Sequence, residues 1–145
     1  MNKLPLAFLG TVALLATPAA ADDLIQPGQW KVTTNNLMNG ASAPPQVRAR
    51  CLSAEQTGDV SKTFGPVMST VNSDCERAED AVTGRKLKWH LQCKGQLDMD
   101  ISGEFNFDTT SHYSATVITK AWMAGRLMND MKTELEGERL GDCPS

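Results

Sequence analysis

The chain lacks several features, and each absence removes a class of function. No stretch approaches the 20 or so consecutive apolar residues of a bilayer helix, since the longest runs only from Leu4 to Leu15, and this excludes a retained membrane span. There is no basic excess: 14 Lys and Arg stand against 17 Asp and Glu, so the charge pattern of a nucleic-acid binder is missing. No Gly-rich phosphate loop, Ser-centred elbow or Cys-x-x-Cys pair occurs, which removes the common signatures of nucleotide, hydrolase and redox chemistry. Repeats, low-complexity tracts and runs of five like charges are also absent, and no linker divides the chain. With 145 residues and 41% hydrophobic content, one globular domain remains.

Residues 1–21 carry one cation, Lys3, then the apolar stretch, then Pro18 and the small residues Ala19, Ala20 and Ala21. This order predicts a cleaved export signal ending at Ala21 and delivery to the periplasm, with no cysteine near the cut to accept a lipid. The mature chain, Asp22 to Ser145, is one unit more negative than the full chain's −3, because Lys3 is the one charged residue lost. Residues 22–27 are expected to be flexible, and residues 28–145 to form a single β domain.

All four cysteines, Cys51, Cys75, Cys93 and Cys143, follow the signal, and an even count in an exported chain points to disulfides. Cys75 and Cys93 are equidistant from Gly84, in a stretch suited to a hairpin turn, so they should face each other. Cys51 would then join Cys143. A metal or redox centre is the rival reading, without metal-type spacing to support it.

Alternation of apolar and polar residues marks most of the remaining chain as half-buried strand. Trp30, Val32 and Thr34 form one strand, and Val47, Ala49 and Cys51 a second, joined through the loop Asn36 to Pro45 into a hairpin. Ser53 with Gln56 matches a capping box and opens one short helix, limited by Gly58; Thr63 to Asp74 reads as a loop. Leu87, Trp89, Leu91 and Cys93, then Leu97, Met99, Ile101, Phe105 and Phe107, lie on the dry side of two antiparallel strands. Asp108 to Ser111 is a turn, and Tyr113, Ala115 and Val117 begin another strand. From Ala121 to Leu135 helix and strand patterns both fit, and propensity alone favours helix.

Pro27-Gly28-Gln29-Trp30, Cys51-Leu52-Ser53-Ala54-Glu55, the Cys75 and Cys93 pair about a turn, and Gly137-Glu138-Arg139-Leu140-Gly141-Asp142-Cys143 occur in that order. Together they resemble the domain of unknown function 3617 family, small exported proteins of Gram-negative bacteria, over essentially the whole mature chain. The resemblance implies an antiparallel β domain with paired cysteines and no assigned activity. It also implies strand from about Met128 to Glu138. One departure is the segment Met38 to Gln46, which has a single Met where many members are rich in Met and Pro.

Candidate sites follow from residue type. His90 and His112 are the two histidines, and neither has the neighbours a general base needs, so both read as surface residues. Asp98, Asp100 and Glu104 share a strand face that suits a cation or acid–base work, or simply solvent. Met99, Met123, Met128 and Met131 offer soft sulfur for cuprous ions, or core filling. Trp30, Trp89, Phe105, Phe107 and Tyr113, with Trp122, would line an apolar ligand face if the sheet curls, or otherwise pack the core. Arg48, Arg50, Arg85, Lys86 and Lys88 make a modest basic cluster. No metal or catalytic residue is assigned.

The expected fold is mostly β, a single antiparallel, curved, meander-like sheet with one short helix and two disulfides. The expected function is that of a periplasmic, non-enzymatic, monomeric binding or interaction domain without a cofactor. Its partner would be an envelope protein or an apolar small molecule, with no nucleic acid involved. Alternatives are an inhibitor of an exported hydrolase such as lysozyme, and an apolar small-ligand carrier.

Overall fold

A computed structural model describes residues 23–67 and 73–145. The expected signal, residues 1–21, and the middle of the expected loop from Thr63 to Asp74 lie outside the described residues. The elements in chain order are β1 (Gly28–Met38), β2 (Ala41–Ser42), β3 (Gln46–Leu52), α1 (Ala54–Gly58), α2 (Val60–Phe64), β4 (Ser73–Thr83), β5 (Lys86–Gly95), β6 (Asp98–Thr109), β7 (His112–Met123) and β8 (Arg126–Gly141). Every strand pairing is antiparallel. The sheet is open, in the order β2-β1-β8-β7-β6-β5-β4, with β3 also paired to β1.

Turn chemistry sets this path. Asn39 and Gly40 both take positive φ, 49° and 84°, which matches the right-handed strand twist and closes a two-residue hairpin between β1 and β2. Pro44 and Pro45 lack the N–H a ladder needs, so pairing stops there and resumes at Gln46, now beside the first half of β1. The chain therefore runs past the expected loop as more strand, and β1 reaches Met38. Ala124 and Gly125 repeat the positive-φ pair at 49° and 75°, joining β7 to β8. That tight turn excludes a helix, and β8 runs as strand from Arg126 to Gly141, longer than expected at both ends.

The helical part also departs from expectation. The capping box at Ser53 and Gln56 is formed, but a second helix follows it. Asp59 accepts from the Lys62 N–H at 3.0 Å and caps α2, whose Val60 and Phe64 stand one turn apart on the buried side. Residues 24–27, expected to be loose, are held. Ile25 is fully buried, the Gln26 N–H donates to the Thr110 carbonyl at 2.8 Å, and Arg139 Nε donates to the Pro27 carbonyl at 2.8 Å.

Two disulfides staple the sheet, Cys75–Cys93 and Cys51–Cys143. The two-residue turn at Gly84 alone would set Cys75 opposite Lys94. A bulge between Arg77 and Glu79 shifts the register by one and brings Cys75 opposite Cys93. The second bond ties the end of β3 to the chain's last residues over 92 positions, and closing so long a loop stabilises by about 4–5 kcal/mol in the chain-entropy model.

Side chains alternate across the sheet, so one face gathers the core. Trp30, Leu87, Trp89, Phe105, Phe107, Tyr113 and Ala115 meet a lid made of Ile25, Leu52, Val60 and Phe64. Phe64 is its centre, with its ring centroid 5.3 Å from Phe105, 5.6 Å from Phe107 and 5.1 Å from Tyr113. Among the described residues, this lid covers one end of the inner face and leaves the rest open.

Candidate functional site

The open part of the inner face is a groove of about 580 Å³, within the range of small-molecule pockets. Its floor continues the core pattern: Phe105, Val117 and Leu135 lie on successive strands, and Met131 and Thr119 pair beyond them. The end of α2 with Gly65, Pro66 and Val67 forms one wall, and β3 supplies the other.

Two glycines let the aromatic rings lie flat against the sheet. A Cβ on Gly103 would come within 2.3 Å of the Trp89 indole, and one on Gly137 within 2.1 Å of the Tyr113 ring. Both rings thus fill the space of an absent side chain on the neighbouring strand. The Trp89 indole N–H donates to the Phe64 carbonyl at 2.9 Å, locking the ring to the wall of the groove.

The expected aromatic face is split by this geometry. Trp89, Phe105 and Tyr113 line the groove, whereas Trp30 and Phe107 are fully buried beneath the lid and present no surface to a ligand. Trp122 sits at the far end of the sheet beside Met99 and Gly125, in a separate hollow. Phe64 belongs to the site and was missed because its segment read as loop. Its signal was the pairing of Asp59 with Val60 and Phe64 at helical spacing.

The groove's charge is distinctive. No acidic residue among the described residues lines it; its charged residues are Arg48 and Arg50. Both alternate with Val47 and Ala49 along β3, so they share the inner face, opposite Val32 and Trp30 on β1. Neither is in an ion pair among the described residues. The Arg50 guanidinium lies 5.8 Å from the Phe64 ring centroid, and its positive charge reaches the Tyr113 phenol. Burial pushes that phenol above its usual pKa, with Arg50 opposing the rise.

The basic cluster read from sequence is therefore dispersed. Arg85 turns inward and donates to the Phe107 carbonyl and, at 2.6 Å, to the Leu24 carbonyl. Lys86 and Lys88 lie on the outer face, 3.6 and 3.3 Å from Glu104.

The outer face holds a larger hollow, about 980 Å³, whose lining is rich in carboxylates, most of them paired with a neighbouring basic side chain. Asp100 lies 2.8 Å from the His90 imidazole, Asp98 lies 3.5 Å from Lys94, and Glu104 faces Lys86 and Lys88, so the three carboxylates have separate partners rather than a common one. His112 sits between Asp108, 2.7 Å away, and Glu136, 3.0 Å away. Hydrogen bonding to Glu136 and then to Asp108 holds its imidazole pKa above the usual 6.5, and His112 in turn lowers that of Asp108.

Met123 and Met128 are exposed near the β7–β8 turn. Met99 and Met131 lie on β6 and β8 with β7 between them and two residues out of register, about 12 Å apart by strand geometry. Among the described residues no cluster of three or more His, Cys, Asp or Glu is placed to hold a metal ion. No helix among them is long and apolar enough to cross a membrane.

Comparison with known proteins bears on the whole of this structure. No curated protein and no solved structure matches the chain. A family model described as "Protein of unknown function (DUF3617)" matches residues 25–143, from the buried Ile25 to the last cysteine.

Proposed function

Because the chain belongs to the DUF3617 family, whose description names no activity, we propose its function from the groove itself: a periplasmic, non-enzymatic carrier of an apolar small molecule. The observation that carries this reading is the part of the inner face that the described residues leave uncovered. Val32, Val117, Met131 and Leu135 line it, partly exposed, although they continue the core's own alternation. An apolar floor of this size loses free energy to water at roughly 25 cal/mol per Å² and recovers it when a ligand covers it. The lining supplies no carboxylate, imidazole or thiol for proton transfer or nucleophilic attack, which favours binding over catalysis. The pattern of residues 1–21 and the two disulfides favour an exported protein.

The test is native mass spectrometry of the full chain expressed in a Gram-negative host and recovered from the periplasm. The expected result is a protein beginning at Asp22 that carries an adduct of lipid-like mass, lost in a Val117→Trp variant that fills the groove. A folded protein without adduct, or one recovered as a stable complex with another protein, would overturn the carrier reading.

A further inference from the structure

We propose that the ligand is an anionic amphiphile: a single acyl chain laid along the groove, with its carboxylate held by Arg48 and Arg50. This rests on the carrier reading above and adds the ligand's charge and shape.

Charge complementarity carries the argument. In a chain of net charge −3, acids outnumber bases, yet among the described residues the groove wall has two arginines and no acid. The lysines and arginines around the rest of the sheet are largely satisfied: Lys31 by Glu138, Arg77 by Asp80, Lys132 by Glu134, Arg139 by Asp142. Arg48 and Arg50 have no such partner among the described residues. Two guanidinium groups on alternate positions of one strand present several N–H donors at the groove's rim, a geometry suited to a carboxylate. Arg50 is further fixed by its contact with the Phe64 ring, which limits the entropy lost on binding.

The shape of the groove selects a chain rather than a compact ring. From β3 the floor crosses β1, β8 and β7 to β6, four strand spacings, or about 19 Å along the sheet. Both charged side chains lie at the β3 end, and the threonines farther along the floor, Thr119 and Thr133, are neutral. Toward β6 the floor is Leu135, Val117 and Phe105, so a ligand with one charged end and an apolar tail matches both ends at once.

Calorimetric titration of the exported, delipidated protein at neutral pH with dodecanoate and with dodecanol separates the two claims. Apolar transfer alone favours the uncharged alcohol. The expected result is the reverse, with dodecanoate binding at least about tenfold tighter through its charge-assisted hydrogen bonds. The Arg48→Gln/Arg50→Gln double variant should bind both probes equally, and the corresponding double Lys variant should keep part of the preference. Added salt should weaken dodecanoate binding to the unaltered chain and leave dodecanol unaffected, a readout that does not depend on any variant folding. Equal affinities, or tighter binding of the alcohol, would overturn the anionic ligand and leave the carrier reading standing. If neither probe bound, both would fall.

Discussion

The two ends of the inner face are built from one alternating pattern and meet different fates. Under the lid, Trp30, Leu87 and Phe107 are fully buried, and the Phe64 ring packs on Phe107. On the next two strands, β7 and β8, Val117 and Leu135 keep the apolar character but remain partly exposed. The strands alone do not decide which end is core. Two short helices do, because they are just long enough to roof one end, and what they leave bare becomes a groove flanked by arginines. Core and site are thus one surface divided by ten helical residues.

The largest way to break this comparison is to remove the roof. Phe64→Ala deletes a ring packed against three others and should destabilise the protein by about 3–5 kcal/mol, read by denaturant unfolding. Val117→Ala, on the same face but outside the lid, should cost about 1 kcal/mol, since only part of its surface is withdrawn from water. Equal losses would mean that both ends are core and that the groove is no binding surface.

This division shows what could be read from the residues. The alternation from Leu87 to Val117 gave the strands and their dry face, and the position of Gly84 between Cys75 and Cys93 gave their pairing. The pairing depended on a bulge after Arg77 that no residue announces, since a bulge is a register shift and not a composition. The Ala124–Gly125 turn was harder to see because its first residue is alanine, a side chain that seldom accepts positive φ, and good helix formers surround it. The site was only half legible. Trp89, Phe105, Tyr113, Trp30 and Phe107 share one face, but Trp30 and Phe107 lie beneath a lid whose second helix the residue pattern did not announce. Arg48 and Arg50 were visible as a pair; their separation from Lys86 and Lys88 depended on which side of the sheet each strand presents.

The smallest expected effect concerns the outer face, where charges are paired. His112 has a raised pKa in the folded protein, so its contribution is fully present below the unfolded value of about 6.5 and is lost as pH rises through the folded value. Asp108 has the opposite sign: its lowered pKa contributes above the ordinary carboxylate value and is lost as pH falls. Melting temperature should therefore decline slightly on raising the pH from about 6 to about 9, by an amount equivalent to roughly 0.2–1 kcal/mol at this partly exposed site. His112→Gln should flatten that slope and leave dodecanoate binding unchanged. A change in binding would tie the outer face to the groove and break the separation between them.

The most direct test of the divided inner face is a methyl NMR titration of the protein with dodecanoate. Val32, Val117, Met131 and Leu135 should shift with the ligand, while Leu52 and Leu87 under the lid hold their positions. Shifts confined to the outer-face methyls of Leu37 and Ile118, with the groove methyls unmoved, would contradict the account.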